Sequence, residues 1–250
     1  MSAVRFDHVA IAVHRLADAV PVLVGRLGGV FEAGAPADVF RWAAWRFQGG
    51  GRIEAIEPRG ADGFLHRFLA RHGPGIHHVT FRVPSLRAAC ERAAAHGYGV
   101  VGYDDRHPHW KEAFLHPKDA LGIVVQLAES SARPPRRLEP PPGPAQPPPP
   151  VTVLGPRLRA RSRERAHAQW VGVLQGEAEE VEGGGLIYRW PDSPMWVAVE
   201  VDPAADEGPV CIELASEQPL ALAPEPLPGV GTAFRVRPAR PAGPGSPSAS

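Results

Sequence analysis

A chain of 250 residues, 44% hydrophobic and 22% charged, carries enough apolar material for one large core or two small ones, and no run long enough to span a membrane. Lysine plus arginine and aspartate plus glutamate both total 27, so no net field recruits nucleic acid or an anionic membrane surface. Cys90 and Cys211 lack CxxC spacing, which excludes a disulfide framework or structural zinc site; Asp7, His8, His14 and Asp18 interrupt any secretory apolar stretch, so a cytoplasmic protein acting on a small molecule is expected.

Residues 5–13 read as a strand whose alternate residues share a face. Residues 15–27 read as a helix in which Leu16, Ala19, Val20, Leu23 and Leu27 form a buried stripe. Pro21 is a defect in that helix, and Leu27-Gly28-Gly29 stops it, because glycine accepts the left-handed cap. Extended runs at 30–33, 39–47 and 51–56 complete a βαβββ unit. A short amphipathic helix carrying Phe64, Leu65, Phe68 and Leu69 then bridges to Gly73-Pro74-Gly75. There the pattern restarts: a strand at 76–83, a helix capped by Ser85 and ending near His96, and strands near 100–103, 112–116 and 122–127.

The two units carry the same chemistry at matched places. Gly75-Ile76-His77-His78-Val79-Thr80-Phe81-Arg82-Val83 repeats Phe6-Asp7-His8-Val9-Ala10-Ile11-Ala12-Val13, which makes His8 and His78 equivalent at a spacing of 70 residues. Glu54 and Gln126, each in the last strand of its unit, are 72 residues apart. A lone strand histidine is usually structural. Two modules, each giving an imidazole from the first strand and an oxygen from the last, instead deliver four metal ligands across a pseudo-twofold axis. Such mixed ligation with open positions suits Co, Ni, Mn, Zn or Fe without choosing among them. Alternation sends His77 to the face opposite His78. Of Trp42 and Trp45, an odd step apart, one faces the cavity, and Trp45 is assigned to substrate. His116 and Lys118 are candidates for a substrate phosphate or carboxylate, with exposed turn residues as the equal alternative, and the loop His107-Pro108-His109-Trp110 is assigned to the cavity mouth.

Ten of the chain's 30 prolines lie in 131–150, which predicts a semi-rigid linker. A third, degenerate βαβββ-like unit is expected over 151–237: residues 168–176 echo 21–29, Tyr188-Arg189-Trp190 echoes Phe40-Arg41-Trp42, and the run 210–214 echoes the Glu54 strand. Gly155 falls near the place of His8, so this unit is expected to be catalytically empty. Residues 238–250, rich in Pro, Gly and Ser, are expected to be a disordered tail.

Residues 5–130 resemble the vicinal oxygen chelate superfamily, which includes glyoxalases, bleomycin-resistance proteins and extradiol dioxygenases. Within it they are most similar to methylmalonyl-CoA epimerases, through the two histidine motifs and Phe114-Leu115-His116-Pro117-Lys118. The resemblance covers about half the chain. It implies an α+β fold of paired βαβββ modules in domain 1–130, forming a cupped, barrel-like mixed sheet around a divalent ion, with His8, Glu54, His78 and Gln126 on the ligand positions. In the epimerases the first-module oxygen ligand is a glutamine and the second-module one a glutamate that also serves as a base; here the two have changed places. The other epimerase glutamate would fall near 35–38, where Asp38 is the only carboxylate. The resemblance thus implies a metal-dependent isomerase or lyase that stabilises an enolate of a small carbonyl or thioester substrate. Glu54 is the base, and because the Gln126 amide cannot return a proton, one-base transfer on a single face is expected unless Asp38 or Glu112 reaches in from the other side. The alternative on the same fold is a non-catalytic, antibiotic-type binding protein. A homodimer is one way for such a chain to cover its exposed faces.

Overall fold

The structure, a computed structural model, describes residues 3–131, 137–181 and 183–238. The first unit runs β1 (Arg5–Ala12), α1 (Leu16–Val20) continued by a π-helical segment (Pro21–Arg26), β2 (Val30–Pro36), β3 (Phe40–Arg46) and β4 (Arg52–Pro58). The helix α2 (Phe64–His72) leads to the second: β5 (Gly75–Arg82), α3 (Leu86–Ala95), β6 (Val100–Asp104), β7 (Trp110–Leu115) and β8 (Val124–Ser130). These strands form one open sheet in the order β2-β3-β4-β1-β5-β8-β7-β6. β1 and β5 pair antiparallel at its centre, and each pairs parallel with the last strand of its own unit. The register bears the twofold relation out: His8 faces Thr80 as Ala10 faces His78, and Ala10 faces Glu54 as Thr80 faces Gln126.

Alternation splits this sheet into two faces. Val9, Ile11, Ile53, Val79, Phe81, Val125 and Leu127 enter the main core. The other, cupped face carries His8, Glu54, His78 and Gln126. At one end of it Ala12, Ile56, Leu65 and Leu69 are buried together, with Phe40, Trp42 and Phe68 against them. Both unit helices start in the same way. The Leu16 N–H donates to Glu57 Oε2 at 2.7 Å, and the Leu86 N–H to Glu129 Oε2 at 2.8 Å, so a strand carboxylate satisfies a helix N-terminus in each unit.

The second sheet contains β9 (Thr152–Ala160), α4 (Arg163–His167) with a π-helical continuation (Ala168–Val173), β10 (Glu177–Val181), β11 (Gly185–Arg189), β12 (Trp196–Val201), β13 (Gly208–Ser216) and β14 (Ala233–Pro238). Its order, β10-β11-β12-β9-β13-β14, and its parallel and antiparallel pairings repeat those of the first six strands of sheet one. The region is therefore a third βαβββ unit followed by two strands in the places of β5 and β8. Pro21 is accommodated at the junction from α-helix to wider π turn. The third unit makes the same turn with Ala168 there, so the turn belongs to the unit and the proline exploits it. Two sequence echoes slipped. The strand equivalent to β4 is β12, with Ala198 at the place of Glu54, whereas 210–214 lies in β13, the counterpart of β5. Tyr188-Arg189-Trp190 falls on Trp45-Arg46-Phe47, since Ile187 opposes Ala198 as Ala44 opposes Glu54.

The sheets meet through an aromatic cluster: Phe6 stacks on Phe81 at 4.8 Å between centroids, and Trp190 lies 4.6 Å from Phe81 and 5.8 Å from Phe6. Part of the predicted linker, 132–136, and nearly all of the predicted tail, 239–250, lie outside the described residues; Pro238 itself ends β14. No described helix is long and apolar enough to cross a membrane.

Candidate metal centre

The centre is built on irregularities at the heads of β1 and β5. The β1–β5 register shifts at Asp7 and again at His77, positions related by the pseudo-twofold axis. Each bulge breaks the alternation that would send Asp7 and His77 to the far face, so each packs beside the histidine that follows it. Asp7 Oδ2 accepts a hydrogen bond from His8 Nδ1 at 2.8 Å, and His77 Nδ1 lies 2.9 Å from His78 Nδ1. His77 is thus a neighbour of the site rather than a residue of the opposite face.

Donor atoms of His8, Glu54 and His78 all lie within 4.8 Å of one another. Glu54 Oε1 is 3.7 Å from His8 Nε2 and 4.0 Å from His78 Nε2. Two atoms each about 2.1 Å from a common ion are separated by about 3 to 4.2 Å, so the donor set fits a divalent metal. The bond to Asp7 fixes the proton on Nδ1 and turns Nε2 toward Glu54, the arrangement by which a carboxylate orients a ligating histidine. Gln126 joins through Thr80, whose hydroxyl is 3.0 Å from His8 Nε2 and donates to Gln126 Oε1 at 2.6 Å.

Burial pulls the His8 ring down, but Glu54 and Asp7 outweigh it and raise its pKa. Burial, then His77 and His8, holds His78 well below its ordinary value, and burial lowers His77 to about 4. His78 is therefore a neutral imidazole, the form that ligates. Burial would raise the Asp7 carboxyl, yet the bond to His8 and the charges of Arg52 and Arg82 bring it far below the carboxylate range.

Sequence reasoning missed two side chains here, Asp7 and Thr80. Glu112, which it offered beside Asp38 as a carboxylate for the Gln126 side, is the one that lies there: its Oε2 accepts from Gln126 Nε2 and from Trp110 Nε1, both at 2.7 Å. A carboxylate only accepts, so Glu112 claims the amide NH₂ and leaves Gln126 Oε1 toward Thr80. The adjacency of Asp7 to His8 and the i+2 position of Thr80 after His78 were the available signals.

The other assigned residues lie elsewhere. Trp45 is 1% exposed and packs edge-on against Phe31 in the main core; Trp42, an odd step away, is the indole on the cupped face. Asp38 sits in the exposed β2–β3 turn, where its charge reaches Arg106. His116 and Lys118 are exposed in the turn after β7, with the Lys118 N–H donating to His116 Nδ1; Gly122 of the same turn packs on the Glu207 backbone of the second sheet. The charged groups near the centre are different ones. A cavity of about 920 Å³ is lined by Asp7, Glu32, Arg46, Arg52 and Arg82, among others, and adjoins His8 through Asp7. Arg82 also lies over the Trp110 ring at 4.6 Å.

Facing histidines on paired βαβββ modules define a vicinal oxygen chelate fold. The family model of the Glyoxalase/Bleomycin resistance protein/Dioxygenase superfamily matches residues 7–114. The uncharacterized protein YqjC of Bacillus subtilis is 30% identical over 131 residues, 50% of this chain and 91% of that one. An ethylmalonyl-CoA/methylmalonyl-CoA epimerase of Cereibacter sphaeroides is 33% identical over 137 residues, 50% of this chain and 97% of that one. A mutant 4-hydroxymandelate synthase from Streptomyces coelicolor, 15% identical, shares the fold over 87% of this chain and 72% of its own at a TM-score of 0.61. The chain belongs to the glyoxalase/bleomycin resistance protein/dioxygenase superfamily.

Proposed function

We propose that this protein is a metal-dependent enzyme that moves a proton on the carbon beside the carbonyl of a small carbonyl or thioester substrate. The observation that carries this reading is the convergence of His8, Glu54 and His78 donor atoms within 4.8 Å on the cupped face. A divalent ion held by these side chains and the Gln126 amide oxygen supplies Lewis acidity at the substrate carbonyl.

The chain's own part is the proton. Glu54, beside both imidazoles, is the first base. Gln126 cannot accept and return a proton at neutral pH, but Glu112 brings a carboxylate to that side, 2.7 Å from the amide nitrogen. Asp38, in its exposed turn, is replaced by Glu112 in this role. Carboxylates on both sides of the axis allow removal from one face and return to the other. His77, with Phe64 and Phe68 rings at 5.5 and 4.8 Å, helps keep water from one end of the cup. The arginines of the flanking cavity suit a substrate carboxylate or phosphate. The similarity to an epimerase of CoA thioesters supports a thioester as the substrate class.

The test is to incubate the metal-loaded protein with methylmalonyl-CoA, and separately with a hemithioacetal, in deuterated water. Solvent deuterium should enter the carbon beside the carbonyl of one of them. Glu54→Gln should abolish exchange, whereas Glu112→Gln should leave exchange and suppress inversion. Saturable binding without exchange or product would make the protein a non-catalytic receptacle.

A further inference from the structure

The second sheet repeats the cup of the first with its chemistry reversed. Its β9–β13 pairing carries the same two register shifts, which fixes the equivalences. Gly155 stands for His8, Cys211 for His78, Ala198 for Glu54 and Arg235 for Gln126. A Cβ at Gly155 would approach the Trp196 carbonyl oxygen to 2.0 Å, so no side chain can stand there. Of the four places that hold electron-pair donors in the first cup, Gly155 and Ala198 clear two in the second, Cys211 puts a thiol at the third and Arg235 a cation at the fourth.

Arginines surround this centre. Arg157 and Arg159 on β9 and Arg235 and Arg237 on β14 share this face with Glu200 on β12 and Glu213 on β13. Glu213, fully buried, accepts from Arg157 Nε at 2.9 Å, Arg237 Nη2 at 2.8 Å and Trp196 Nε1 at 3.2 Å. Glu200 is shared by three guanidiniums, Arg157 at 3.2 Å, Arg235 at 3.8 Å and Arg159 at 4.0 Å. Among the described residues four arginines face two glutamates here, an excess of two positive charges. A network serving the fold alone gains nothing from that excess, because guanidiniums crowded on one face repel each other. Arg157, Val181, Gly185, Glu200, Val201 and Arg237 line a cavity of about 460 Å³, the size of a small metabolite's site.

We propose that this second cup is a binding site for a small organic anion, a carboxylate or a phosphate ester, gripped by Arg157 and Arg237 with Arg159 and Arg235 beside them. Planar guanidinium forks match both oxyanion geometries. Glu213 holds the buried forks in place, and Glu200 occupies part of the anion's room.

The experiment is calorimetric titration of the full-length protein, at low ionic strength, with inorganic phosphate, pyrophosphate and malonate. One saturable site per chain is expected for at least one probe, and the preferred probe separates a phosphate from a carboxylate ligand. The combined variant Arg159→Gln, Arg235→Gln should weaken that binding by about tenfold or more, while melting temperature and metal content stay at wild-type values. Glu200→Gln should tighten it by removing a competing carboxylate, a gain that a purely structural ion network does not predict. No uptake of any probe at about 10 mM, or an affinity indifferent to both variants, would overturn the proposal.

Discussion

His8 is held at Nδ1 by Asp7 at 2.8 Å, with the Thr80 hydroxyl 3.0 Å from Nε2, and Asp7 is itself paired with Arg52 at 2.8 Å and Arg82 at 3.2 Å. Its orientation is therefore set by an ionic network rather than by packing alone. Asp7→Asn keeps the shape and loses the charge; it should lower metal affinity by about 10- to 100-fold in a chelator competition assay. An unchanged affinity would remove Asp7 from the orienting role. The convergence of His8, Glu54 and His78 was legible because equal offsets in a repeat imply equal places in the fold. Asp7 and Thr80 were not. The first depends on a bulge, which period-two reasoning does not foresee. The second acts through Gln126, whose amide orientation follows from neighbours on other strands, Glu112 among them. Trp45 was misassigned because two indoles an odd step apart reveal that one faces the cup, not which one.

At the scale of elements, the repeat appears again in the way helices begin. Glu57 and Glu129 lie on the last strands of their units and bond the first N–H groups of α1 and α3, and Ser85 Oγ also accepts from the Ala88 N–H. Glu57→Ala and Glu129→Ala should each cost about 1 kcal/mol of stability in denaturant unfolding, and nearly add when combined, since they act on separate helices. Neither should alter metal content. Strand and helix existence followed from periodicity and glycine stops. What escaped was the register of the third unit: without a ligand to mark the strand, compositional echoes slid, and β12 with Ala198 went unrecognised.

At the scale of the molecule, the back of the first cup is closed by the second sheet. Phe6 and Phe81, 2% and 0% exposed, meet Trp170 and Trp190 there. We propose that residues 1–130 still fold alone, because every ligand position and both unit helices lie within them. A chain ending at Ser130 should keep its metal but self-associate through the uncovered aromatic patch, as sedimentation would show. A monomer with full-length stability would contradict that role for the second sheet. The second cup also sets an acid limit. Burial pushes the Glu213 carboxyl up, but Arg157 and Arg237 outweigh it and bring it below its ordinary value of 4.5. Its contribution is thus complete above about pH 4.5 and lost as pH falls through the depressed value, so the melting temperature should fall below pH 4.5 less steeply in Glu213→Gln than in wild type.

The central claim, that the cupped face of the first sheet holds one divalent ion on His8, Glu54, His78 and Gln126, is tested most directly by elemental analysis. The full-length protein, purified without added metal, should be compared with His8→Ala and His78→Ala. One ion per chain in the wild type, with most of it lost from each variant while circular dichroism is unchanged, is the predicted result. Wild-type stoichiometry in both variants would contradict the ligand assignment and the mechanism built on it.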